Sequence, residues 1–150
     1  MPSSRRRLSA LRRLRRVQKL TRDRAAVALA ESNAVRISAE QSQVAAKAQR
    51  TRLEGEFVTR VMATSQTTDL ESVRAEHAAA DESIIAANRQ HESARRECQA
   101  RLAREAEAEQ KIAVTDKLTD RERKTLARAI DRAEQLTIDD LAPTRRKAQP

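Results

Sequence analysis

Glycine and aromatic residues are almost missing from this chain of 150 residues. It has one glycine (Gly55), one aromatic (Phe57), one cysteine (Cys98) and three prolines, Pro2, Pro143 and Pro150. Each shortage excludes something. Residues 3 to 142 contain no strong helix breaker other than Gly55, so strands are not expected. One aromatic leaves little from which to build a concave apolar pocket, and one glycine cannot make a Gly-rich phosphate loop, so no enzyme is expected. A lone cysteine cannot form an internal disulfide and suits a reducing compartment. No run of about 18 apolar residues exists that would cross a bilayer.

What is present is helix-forming and charged. Val, Ile, Leu and Phe supply only 27 residues, whereas Ala, Glu, Lys, Leu and Arg supply 85, the composition of long helices and coiled coils. The formal charge of +9 is concentrated in residues 1 to 24, where ten basic side chains stand against Asp23. The other 126 residues carry 21 charges of each sign. A dense positive segment on an otherwise neutral helix asks for an acidic partner, be it protein, nucleic acid or anionic lipid. An Arg- and Ser-rich N-terminus poor in acids also describes a mitochondrial transit peptide, although here the leucine periodicity runs unbroken from the basic segment into the next.

The predicted first helix spans about 4–63. Leu8, Leu11, Leu14, Val17 and Leu20 advance by threes, and the series Val27, Ala30, Ala34, Ile37, Gln41, Val44, Ala48, Val58, Met62 follows with heptad-like spacing. This Ala-rich series is the expected seam, burying little area per turn. The polar run 64–68 is the expected turn. Thr68 and Glu71 form a capping box opening a second helix over about 69–142, stopped by Pro143, with 143–150 a disordered basic tail. The second stripe reads Leu70, Val73, His77, Ala80, Ile84, Ala87, His91, Ala94, Cys98, then shifts through Leu102, Ile112, Leu118, Leu126, Ala129, Ala133 and Leu136.

Two long helices joined by so short a turn run antiparallel. The expected fold is therefore all-α: a two-helix coiled-coil hairpin over 1–142. Folding about position 66–67 makes facing residue numbers add to about 133. This puts Leu8 opposite Leu126, Leu20 opposite Ile112, Val27 opposite Ala106, Leu53 opposite Ala80, and Met62 opposite Leu70 or Val73. A weak seam of this kind leaves open a second arrangement, pairing with another copy.

His77, His91 and Cys98 share a stripe but stand ~21 Å and ~10 Å apart along one helix, too far to ligate one metal. Glu105, Glu107 and Glu109 point around the helix and converge on nothing. No catalytic residue, metal or cofactor is expected. The arginines near the N-terminus are the open question. A basic helix can follow DNA phosphates, but a groove-binding basic region has no use for the apolar stride through Leu8, Leu11, Leu14, Val17 and Leu20, and no aromatic is available to stack on single strands. Cations at a helix N-terminus also oppose its dipole by ~0.3–1 kcal/mol each, which favours an external acidic partner over a merely solvated face.

Leu8-x2-Leu11-x2-Leu14 running into Ala25-Ala26-x-Ala28-Leu29-Ala30, the polar turn near mid-chain, and the closing run Ala133-Glu134-Gln135-Leu136-Thr137-Ile138-Asp139-Asp140-Leu141-Ala142 before a basic tail together resemble the FliJ family. These are the stalk proteins of bacterial flagellar type III export, similar to the YscO proteins of injectisomes. The resemblance implies a cytoplasmic, non-catalytic coiled coil, peripherally associated with the inner-membrane export apparatus. Its paired helix ends would enter the hexameric export ATPase through Arg5, Arg12, Arg13, Arg15 and Arg16. The family's gate-contacting pattern, an apolar residue then x3-Leu-x2-Ala-x3-His, is matched by Ala80, Ile84, Ala87 and His91, implying a contact with the cytoplasmic domain of the export gate. Export chaperones are further implied partners. A nucleic-acid-binding coiled coil stays as the alternative.

Overall fold

The computed structural model describes the backbone of residues 2–63 and 67–146, and the side chains of residues 3–63 and 70–138. The described chain is a helical hairpin of α1 (Pro2–Ala63) and α2 (Thr67–Arg146). Pro2 opens α1, where its fixed φ suits a first helical turn and its missing donor costs nothing. The expected turn falls largely on residues 64–66, and the Thr68 hydroxyl of the expected capping box, like those three residues, lies outside what is described.

At the other end the stop before Pro143 is corrected: α2 runs on to Arg146. Proline forfeits one backbone donor, but its φ is already helical. The part of the expected disordered tail at 143–146 is thus helical, and 147–150 are not described.

The packing divides the chain into two compact units, each containing a stretch of both helices. Unit 1 takes Met1–Arg24 with Ala106–Pro150, and unit 2 is Ala25–Glu105.

In unit 2 the α2 stripe is the expected one from Val73 to Cys98, while Leu70 at its start is exposed. Val73, Ala80 and Ala87 are buried, and His77, Ile84, His91, Ala94 and Cys98 half-buried, along one face. The α1 face that meets it is not the expected seam. Ser32, Ala39 and Ala46 are buried, with Ala25, Leu29, Arg36, Gln43, Arg50 and Leu53 half-buried between them. Val27, Ile37, Val44, Val58 and Met62 are exposed instead. They lie about two positions along the heptad, which turns a stripe to roughly the opposite side of the helix. The inner face is chosen by fit: small side chains at Ser32, Ala39 and Ala46 let α2 approach closely, and long polar ones bridge across. Gln43 Nε2 donates to Asn88 Oδ1 at 2.7 Å, Arg50 Nε to Asp81 Oδ1 at 2.6 Å, and Arg60 grips Glu76 through both guanidinium nitrogens. Phe57 meets His77 edge-on at 5.4 Å between ring centroids.

In unit 1 Leu8 and Ala108 are buried, as are Thr115 and Thr119, with Leu11, Gln18, Ile112 and Leu126 half-buried around them. The Thr115 hydroxyl lies 2.7 Å from Gln18 Oε1 and 3.0 Å from the Lys111 carbonyl, and Thr119 donates to the Thr115 carbonyl. Buried threonine hydroxyls are thereby satisfied within the helix or across it. Of the shifted α2 stripe expected beyond Cys98, Ile112 and Leu126 are half-buried but Leu102, Leu118, Ala129, Ala133 and Leu136 are exposed, and Leu20 of α1 is exposed as well. The heptad continues in register through Arg101, Glu105, Ala108, Ile112, Thr115, Thr119, Glu122 and Leu126.

Pairs such as Arg15 with Asp116 and Gln18 with Thr115 in unit 1, and Gln43 with Asn88 and Arg50 with Asp81 in unit 2, follow the expected antiparallel register closely. The expected facings of Leu20, Val27 and Met62 fail, because those side chains point away from α2.

Two substitutions separate the inner face from the outer one. Ala46 is 7% exposed and Val44 61%. Ala46→Glu should cost at least ~1 kcal/mol by burying a charge against α2, whereas Val44→Glu should stay within about 0.5 kcal/mol. Thermal denaturation followed by circular dichroism reads both. Gly55 faces open space, with nothing within 4 Å of where a Cβ would stand and an ordinary helical φ. Gly55→Ala should therefore stabilise α1 by ~0.5–1 kcal/mol in the same assay.

Candidate partner-binding surface

Charge divides between the two units as sharply as packing does. Unit 1 carries 20 basic and 10 acidic residues, a formal +10, and unit 2 carries 11 and 12, a formal −1. The positive unit is the one that holds both ends of the chain.

Within unit 1 the cations of α1 differ in what holds them. Arg15 Nε donates to Asp116 Oδ1 at 2.5 Å and Nη2 to Oδ2 at 3.2 Å, a bidentate pair across the helices. Arg7 lies 3.7 Å from Glu122, and Arg22 stands 3.2 Å from its neighbour Asp23. Arg22 Nε is closed off from water without an aligned acceptor, a cost the unit carries at its inner face. Arg5, Arg6, Arg12, Arg13, Arg16, Lys19 and Arg24 have no ion-pair partner among the described residues, and all seven are exposed.

Of the five arginines singled out from sequence, Arg5, Arg12, Arg13 and Arg16 therefore project into solvent. Arg15 is exposed too, but its position in the heptad lies beside α2, and its guanidinium is held there by Asp116. Arg12, Arg15, Arg16 and Lys19 of α1 form one wall of an open groove whose other wall is Asp116, Thr119, Asp120 and Arg123 of α2. The contribution of α2 was not read from the sequence. Its signal was available, since the antiparallel register carries 116–123 alongside 12–19.

Ala80, Ile84, Ala87 and His91 are brought together, but on the inner face of unit 2. Ala80 and Ala87 are buried there and Ile84 and His91 half-buried, so α1 already covers the stripe. Cys98 is a free, half-buried thiol. Among the described residues no group of three or more His, Cys, Asp or Glu is placed to hold a metal ion. No helix among them is long and apolar enough to cross a membrane.

Comparison with known protein families, with curated proteins and with solved structures finds no match to this chain.

Hydrogen bonding to Arg15, reinforced by its charge, holds the Asp116 carboxyl below the ordinary carboxylate range, and burial opposes this only in part. Glu76 is held down in the same way, by its hydrogen bonds to Arg60 first. A carboxyl whose pKa is lower folded than unfolded adds stability that is complete above the unfolded pKa, near 4, and lost as pH falls through the folded value. The melting temperature should therefore drop on acidification from about pH 5 towards pH 2. The double variant Asp116→Asn and Glu76→Gln should melt lower at neutral pH and show a flatter decline.

Proposed function

We propose that this chain is a non-catalytic stalk of a flagellar type III export apparatus, acting through its positive unit on an acidic partner. The observation that carries the reading is the concentration on α1 of seven exposed cations without an ion-pair partner among the described residues, in the unit that holds both chain ends. The resemblance to the FliJ family supplies the identity of the partner, the ring of the hexameric export ATPase. A helical hairpin suits such a role, since paired helix ends present charge and need no chemistry of their own.

In this reading Arg5, Arg12, Arg13 and Arg16 make the ring contact, and Arg15 supports them by tying α1 to Asp116. An acidic ring interior would gain mainly in association rate, and the gain would shrink as salt rises. The export gate and export chaperones remain partners of the proposed assembly, and the location remains the cytoplasmic side of the inner membrane. Ala80 and Ala87 are withdrawn as gate contacts in the closed hairpin, because α1 covers them. Nucleic acid remains the alternative partner, since cations that meet carboxylates can also meet phosphates.

Charge reversal of Arg12, Arg13 and Arg16 to Glu, with Arg15 kept, tests the proposal. Association with the purified ring should weaken by about tenfold or more at low salt while helicity stays unchanged. Normal ring binding with lost affinity for duplex DNA would hand the assignment to nucleic acid.

A further inference from the structure

The outward side of α1 in unit 1 carries three aliphatic side chains that α2 does not cover. Leu14 is 47% exposed, Val17 59% and Leu20 56%. Spaced by threes, they fall within an arc of about 120° on the helix, with Leu14 at the edge next to Leu11 and Gln18, and Val17 and Leu20 on the side away from Leu8, Leu11 and Gln18. Arg6, Arg13 and Arg24 fall within the same arc, all exposed and without an ion-pair partner among the described residues. Arg16 borders it. The arc thus alternates aliphatic and guanidinium groups on a single helical face.

We propose that this face lies on an anionic lipid bilayer. Two observations select that occupant. An aqueous acidic surface or a DNA phosphate backbone rewards the arginines but leaves Leu14, Val17 and Leu20 in water, whereas the boundary between headgroups and acyl chains takes both. Arginine stems lie along apolar surface while their heads reach the headgroup phosphates, so interleaving the two residue types is no obstacle. A second copy is disfavoured as occupant, because pairing this face with itself would set arginine against arginine. Each cation near an anionic membrane surface is worth roughly fivefold in partition, so three on the arc and the neighbouring Arg12, Arg16 and Lys19 give strong attraction before any side chain inserts. This is an interaction additional to the ring contact and does not depend on it.

Unit 2 supplies its own control. Val27 and Val44 are as exposed as Val17 and Leu20, yet their unit has a formal charge of −1 and offers an anionic surface no attraction.

Cosedimentation of the full chain with unilamellar vesicles tests the proposal, using phosphatidylcholine alone and phosphatidylcholine with added phosphatidylglycerol at near-physiological salt. The chain should bind the anionic vesicles and not the neutral ones. The triple variant Leu14→Ser, Val17→Ser, Leu20→Ser should lose about tenfold or more in partition with helicity unchanged, since its cations remain but nothing enters the acyl boundary. Val27→Ser with Val44→Ser should bind like the unaltered chain. Equal binding of the triple serine variant would reduce the attraction to charge alone and overturn the proposal. Equal binding of the unaltered chain to neutral and anionic vesicles would overturn it as well.

Discussion

The hairpin depends on how closely two helices can approach when little apolar volume is available to hold them. Its inner face solves this with small side chains at alternating positions, Ser32, Ala39 and Ala46 on α1 and Ala80 and Ala87 on α2 in unit 2. Alanine buries little area, so hydrophobic stabilisation per turn is modest. Close approach then makes cross-helix hydrogen bonds possible, and Gln43 to Asn88, Arg50 to Asp81 and Arg60 to Glu76 fix which residue faces which. Such pairs contribute little net energy each when exposed, but a slip of one heptad would leave each guanidinium opposite a different residue. Register in this hairpin is therefore set by polar contacts and affinity between the helices by a shallow apolar layer.

The same constraint explains which parts of the fold were legible. Two helices, their antiparallel register and the α2 stripe from Val73 to Cys98 follow directly from missing breakers and heptad spacing. The α1 seam does not, because its outer face is the more apolar one. Val27, Ile37, Val44 and Val58 look like a core series, while the true inner positions include Arg22, Arg36, Gln43 and Arg50, residues rarely assigned to an interior. Register was the better guide. Carried across the hairpin, Ala80, Ala87 and Ala94 point to Leu53, Ala46 and Ala39, not to Val44 or Ala48. The pairing of Arg15 was missed for a related reason: nothing in the run of arginines distinguishes the one beside Asp116 from its neighbours, except its place in that heptad.

An N-terminal helix segment dense in cations is locally unfavourable, through both mutual repulsion and the helix dipole. Among the described residues two cross-helix acids relieve it in unit 1, Asp116 at Arg15 and Glu122 at Arg7. Seven further cations stay uncompensated by any ion pair among the described residues. Unit 2 balances its charges overall, with 11 basic and 12 acidic residues, and there Arg36, Arg50, Arg52, Arg60, Arg96 and Arg101 are paired while Lys47, Arg74, Arg89, Arg95 and Arg104 have no ion-pair partner among the described residues. The imbalance is thus local to one unit, as expected for a surface whose counter-charge comes from elsewhere.

Around the helix six of the seven uncompensated cations form two sets. Arg12, Arg16 and Lys19 border the groove shared with Asp116, Thr119, Asp120 and Arg123, where the neighbouring surface is polar. Arg6, Arg13 and Arg24 share the outward arc with Leu14, Val17 and Leu20, where it is aliphatic. A protein partner lined with carboxylates is best met by the first set, because the polar groove costs nothing to bring against it. A lipid surface is best met by the second, because only there does apolar surface accompany the charge. Under the two proposals the hairpin can hold both partners at once only if each takes its own side of α1. Arg13 and Arg16, at the border between the sets, are the residues for which the two would compete.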